Sequence, residues 1–302
     1  MVIHIKPYRY EPSLAAAIVF VVAFGLTTVL HTYQILRTKT SFFIAFAIGG
    51  WFEVIGYIGR IISVNEYPDN TRPPYAVYVL FPLIAPALYA ASIYRVFGVI
   101  LQVTNGEKYS IIKPSLLEAV FIFGDVASFV LVGVGGSMTV AAESEASINK
   151  GERIVTIGLI IQLLFFSFFI VMAGIFNIRM AKSPTETVQS RSDNPYQKHL
   201  YALYLAAFII LVRSVYKLIE YVQGRGGYLF SKEVFAYVFD AALMFFTMVI
   251  FHFVHPSELN ALVKGGFVVS NVTMAKPHRD SDASIEDGDT DKLETKAVVL
   301  VV

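Results

Sequence analysis

The chain has 302 residues, of which 56% are hydrophobic and only 16% charged, with a mean hydropathy of +0.61, values that exclude an ordinary soluble domain and imply an integral membrane protein. A formal charge of +1 argues against a nucleic-acid partner. With no cysteine there is no disulfide framework, thiolate nucleophile or cysteine-ligated metal.

A bilayer core of about 30 Å takes roughly 20 helical residues to cross, and seven apolar windows reach that length. They are 14–36, 42–63, 76–101, 115–138, 154–180, 200–222 and 234–254, which predicts an all-α polytopic bundle of seven transmembrane helices. The first window begins too late and runs too long for a cleaved signal peptide, so it reads as a retained span. Pro82 and Pro86 interrupt the third window four residues apart, which predicts a kink with freed backbone carbonyls. Loops one, three and five carry eight Lys or Arg against five in loops two, four and six. By the positive-inside rule this places the N-terminus outside and the C-terminus in the cytoplasm. Residues 1–13 are then an extracellular segment, 14–256 the membrane domain, and 257–302, polar and acidic, a disordered cytoplasmic tail.

Charges inside the spans carry the functional signal, because each costs about 2.5–3.5 kcal/mol at a helix centre on insertion scales and so must face partners or water. Arg213, Lys217 and Glu220 follow one another at i, i+4 and i+7, on one helical face. Glu53 and Arg60 share a face with Tyr57; Glu233 and Asp240 share one with Tyr237. Asp125 falls in the middle of the fourth window, and Gln162 lies within the fifth. Three cations, Arg60, Arg213 and Lys217, thus stand against Glu53, Asp125, Glu220, Glu233 and Asp240, and spans two, four, six and seven are expected to balance in one outer-half cluster. Two readings stay open. The ions hold the bundle together as pairs, or they line a cavity for the polar head of an amphiphile, with Tyr57, Tyr216, Tyr221 and Tyr237 as walls.

Signals for catalysis are weak. No Gly-rich phosphate loop followed by Lys-Ser/Thr occurs, and no cofactor is expected. His31, His252 and His255 fall at similar depth, which leaves a metal-dependent lipid hydrolase as a minor reading against no metal site and no enzyme.

Several strings, in order and spacing, resemble the fungal RTA-like, or lipid-translocating exporter, family of seven-span proteins. They are Tyr10-Glu-Pro12-Ser13, Glu53 to Arg60, Ala85-Pro86-Ala87 with Ala90 to Tyr94, Asp125 to Ser128, Gly135-Gly136, Gly158 with Gln162, Arg213 to Gly227, Glu233 with Tyr237 and Asp240, and His255-Pro256. The resemblance covers roughly residues 10–256. Two positions depart from it: Val132 stands where the family's glutamine is expected, and Val99 where an arginine is common.

What the resemblance implies is a plasma-membrane lipid transporter that exports amphiphiles such as sphingoid long-chain bases and confers drug resistance in a stress response. Its expected partners are membrane lipids or amphiphilic small molecules; protein partners are left unassigned. The alternative is a seven-helix lipid- or sterol-sensing receptor that signals through the cytoplasmic tail.

Overall fold

In the computed structural model the described residues are Tyr8, 10–67, 71–142, 144–190, 196–224 and 226–264, with short strands beyond. Among the described residues seven helices are long and apolar enough to cross a membrane: Leu14–Thr38, Ser41–Asn65, Arg72–Val103, Leu116–Ala141, Glu145–Lys182, Tyr196–Gln223 and Glu233–Phe253. All seven windows of the sequence become helices, and several extend past their apolar stretch. The fifth helix starts nine residues before its window, at Glu145, because Ser144 caps it: the Ser144 side chain accepts from the Ser147 N–H. The first helix is capped in the same way, by Ser13 accepting from Ala16.

Spans two and three, and spans four and five, are the tightest neighbours, and small residues make that approach possible. A Cβ on Gly56 would fall inside the Pro82 ring, so the second span lies directly against the proline turn of the third. Ser128 of the fourth span donates to the Gly158 carbonyl of the fifth at 2.8 Å, where again only a glycine leaves room. Because a proline ring cannot swing aside, Gly56→Ala should cost about 1–3 kcal/mol through overpacking, readable as a lower unfolding midpoint in detergent.

An aromatic core fills the half of the bundle away from the start of the first span. Phe43 and Phe46 stack with centroids 4.5 Å apart, and Phe46 meets Tyr89 and Phe251. Phe97 is clasped edge-on by Phe169 and Phe176. The opposite half, toward Ser13 and Glu233, holds the ion pairs of Arg60 and Arg213.

The chain does not leave the bundle at Pro256, as the tail boundary implied. Ser257–Val263 is a helix with Leu259 and Ala261 buried, and the Asn260 amide donates to the Thr38 and Lys39 carbonyls at the end of the first span. Apolar side chains at Leu259 and Ala261 make this turn amphipathic, which a composition average over the acidic tail conceals. Strands Phe267–Ser270, Thr273–Lys276 and Val298–Val299 pair antiparallel in that order. The rest of the tail and residues 1–7 of the N-terminal segment lie outside the described residues.

Candidate functional site

The single cluster expected from the sequence separates into two charged groups and an isolated acid. The first group surrounds Arg60, which has no exposed surface. Its guanidinium pairs with Glu233 at 2.6 Å, donates to the Tyr237 hydroxyl at 2.9 Å and to Tyr10 at 3.2 Å. It also lies over the rings of Tyr78, Tyr237 and Tyr8 at 4.4, 4.9 and 5.6 Å. Glu233 completes the group by accepting from the Ser13 backbone N–H at 2.9 Å, which ties the start of the first span to the start of the seventh. Tyr57 is buried beside this group and stacks on Phe20 and Tyr237.

The second group is built around Asp240. The seventh span is π-helical at Tyr237–Ala241, with the Ala242 N–H reaching back to the Tyr237 carbonyl. Turns of this kind insert one residue into a helix and collect at functional sites; here Asp240, inside the turn, is buried. Its Oδ1 accepts from Arg213 Nε at 2.6 Å and its Oδ2 from Lys217 Nζ at 2.7 Å. Lys217 also reaches Glu220 Oε2 at 3.0 Å, while Glu220 Oε1 accepts from the Tyr216 hydroxyl at 2.7 Å.

The proline pair of the third span supplies the remaining partner of Arg213. Proline at 86 has no N–H for the carbonyl four residues earlier, so the Pro82 carbonyl is free. Arg213 Nη2 fills it at 2.8 Å. The two prolines thus present an acceptor to a buried cation from the sixth span.

Glu53 is 1% exposed, and its Oε1 has no hydrogen-bond partner. It interacts electrostatically with Asp240, Arg213 and Lys217 and so borders the second group. Asp125 stands apart. It makes no ion pair among the described residues, and the polar group beside its carboxyl is the Tyr94 hydroxyl, whose ring is embedded among Phe121, Phe166 and Phe169. Gln162 is buried on the fifth span.

An open pocket of about 910 Å³, its mouth included, lies over the second group. Lys217, Glu220 and Asp240 line it together with Glu152 and Lys232, and its walls include Tyr8, Tyr10, Tyr75, Tyr78 and Tyr221. Arg60, Arg213 and Glu53 are not among the lining residues and act from behind it. Beside the pocket the sixth helix ends at Gly224, whose φ of +64° is the left-handed conformation that glycine adopts without strain. The sequence singled out the charged floor but not Tyr8, Tyr75, Tyr78 or Glu152. Tyrosines at helix ends are expected simply as an interfacial belt, and no spacing rule converges residues from separate spans.

The histidines occupy the other end. His31 Nε2 bonds the Met248 carbonyl at 2.9 Å, and the His255 Nδ1 accepts from the Ser257 N–H. Their ring centroids are 6.2 Å apart, and those of His31 and His252 are 5.8 Å apart. Among the described residues no three His, Asp or Glu side chains are placed to share a metal ion. Hydrogen bonds from His199 and from Lys198, each at 2.9 Å, hold the Glu258 carboxyl down to about 2 and pin the last helix. Burial, with His31, His199 and His252 nearby, lowers His255 to about 3. The unfolded chain therefore binds a proton at this position below pH 6.5 that the folded chain refuses until about pH 3, so stability falls as pH drops through that window. Between pH 7 and pH 5 this one group should remove about 2 kcal/mol, and His255→Gln should flatten the slope of unfolding free energy against pH over that range.

The RTA1-like protein family matches residues 46–261, which covers Arg60 and Glu233 of the first group, the whole second group, Pro82 and Pro86, and most of the last helix. The chain belongs to the RTA1-like family. Relatives include the protoporphyrin uptake protein 1 of Saccharomyces cerevisiae, 33% identical with 81% of this chain and 90% of the relative covered. The probable lipid transporter atnI of Emericella nidulans is 27% identical, over 83% of this chain and 68% of the relative. The sphingoid long-chain base transporter RSB1 of Saccharomyces cerevisiae is 26% identical, over 81% and 72%. No solved structure matches the chain.

Proposed function

We propose that this RTA1-like protein is a lipid-translocating exporter of the plasma membrane. It moves amphiphiles such as sphingoid long-chain bases across the bilayer and thereby confers resistance to toxic lipids or drugs. The observation that carries the reading is the open pocket whose floor is Lys217, Glu220 and Asp240 and whose walls are tyrosines. Such a pocket offers a polar head group charge-assisted hydrogen bonds and offers the adjoining chain amphipathic rings. Relatives named as a lipid transporter and a sphingoid long-chain base transporter support the substrate class and a non-enzymatic role. The Lys and Arg bias of the loops supports an orientation with the pocket end of the bundle outside the cell.

The test is transbilayer movement of a fluorescent sphingoid base in liposomes that contain only the purified protein. Movement should depend on the protein, and Glu220→Gln, which removes a charged acceptor from the pocket floor, should slow it by roughly tenfold or more. No protein-dependent movement would overturn the reading.

A further inference from the structure

The second charged group has a division of labour that its role as a set of ion pairs does not require. Each of its two carboxylates uses one oxygen for a fixed partner. Asp240 Oδ1 is held by Arg213, itself anchored on the Pro82 carbonyl, and Glu220 Oε1 by the Tyr216 hydroxyl one helical turn away. The other oxygen of each, Asp240 Oδ2 and Glu220 Oε2, meets the same group, the Lys217 ammonium, at 2.7 and 3.0 Å. That ammonium also lies 5.5 Å from the centroid of the Tyr216 ring. Lys217, Glu220 and Asp240 all line the open pocket, whereas Arg213 does not. A third carboxylate, Glu53, borders the group with a buried, unpartnered Oε1.

We propose that Asp240 Oδ2 and Glu220 Oε2 form a seat for a ligand's primary ammonium group, and that Lys217 is its tethered resident, displaced when the ligand enters. The inference rests on the exporter reading for its ligand class and adds the subsite and how it is vacated. A lysine side chain is a flexible stem ending in a compact point charge with three donors, chemically the same head as an alkylammonium. When it swings aside, Asp240 keeps Arg213 and Glu220 keeps Tyr216, so neither carboxylate is stranded. The resident makes the empty seat stable without blocking it, and the ligand gains only the difference between its own contacts and those of Lys217. The seat therefore has a built-in reduction of affinity, which suits release after binding.

The experiment is binding of a fluorescent long-chain primary alkylamine to the purified full-length protein in lipid nanodiscs, with the matching long-chain alcohol as control. Lys217→Gln should bind the amine about tenfold tighter than wild type, a gain of about 1.4 kcal/mol, and leave the alcohol unchanged. Lys217→Arg, which keeps a tethered cation, should bind the amine no tighter than wild type, and Glu220→Gln should bind it about tenfold more weakly. Amine binding that is unchanged or weakened in both Lys217→Gln and Lys217→Met, with unfolding temperatures at the wild-type value, overturns the seat. So does equal tightening of amine and alcohol. Because binding is read without transport, an amine that binds as described but is not moved in liposomes leaves the seat standing and removes the exporter reading; an amine that is moved but ignores Lys217 does the reverse.

Discussion

Arg60→Met should destabilise the folded bundle by about 3–5 kcal/mol, the range seen when one partner of a buried ion pair is removed. Arg60 has no exposed surface, and three tyrosine rings surround it. Without it the Glu233 carboxylate keeps only the Ser13 N–H, and the Tyr10 and Tyr237 hydroxyls lose their donor. Glu233→Gln should cost less, because its side chain is 15% exposed and the amide oxygen still accepts from Arg60. The double replacement Arg60→Met with Glu233→Met should be milder than the sum of the two single changes, since neither charge is left alone. Reversible unfolding in mixed micelles, followed by circular dichroism, measures all three. A loss below about 1 kcal/mol for Arg60→Met would mean that the pair behaves as a solvent-screened surface contact and would contradict its burial. The same variant should loosen the pocket rim, because Tyr8 and Tyr10 line the pocket and both contact Arg60.

How much of this was legible beforehand depended on whether the feature was carried by one helix or by several. Seven spans follow from apolar runs alone, and their polar extensions, such as Glu145 to Arg153, follow from capping at Ser144 rather than from hydropathy. Depth along a span was also legible, since rise per residue is fixed. The azimuth of one helix about its neighbours was not. Asp125 has a depth consistent with a shared cluster, yet its side chain lies against Tyr94, itself packed on Phe121 and Phe169, instead of against a cation. For the same reason Arg60 could not be assigned to Glu233 over Glu53, although Glu53 lies seven residues from it on its own helix. The prolines show the converse. That Pro86 frees the Pro82 carbonyl is local and readable, whereas its capture by Arg213 from another span is not. The π-turn at Tyr237–Ala241 had no sequence signature at all, since none of its residues is a glycine or proline.

Asp240→Asn should prove the most damaging change within the pocket, and its pattern of rescue tests how the group is wired. In the wild type two cations divide the two carboxylate oxygens, Arg213 on Oδ1 and Lys217 on Oδ2. An asparagine has one oxygen and one NH₂. If the oxygen stays with Arg213, which is 1% exposed and makes no second salt bridge among the described residues, the NH₂ donors confront the Lys217 ammonium donors. A donor facing a donor in a buried setting forfeits the ion pair and leaves charge uncompensated, so the expected loss is about 3–5 kcal/mol. Adding Lys217→Gln removes the confrontation, because the glutamine amide oxygen can accept from the asparagine NH₂, and Glu220 retains the Tyr216 hydroxyl. The double variant should therefore be more stable than Asp240→Asn alone, with a coupling of about 0.5–3 kcal/mol in a double-mutant cycle. Arg213→Met should give Asp240→Asn less relief, since Arg213 keeps a satisfied acceptor in the Pro82 carbonyl and removing it strands that carbonyl as well. Equal rescue by the two partners would mean that net charge alone governs the group; preferential rescue by Lys217 identifies it as the more loosely held of the two cations, the property that a displaceable resident of the pocket floor requires.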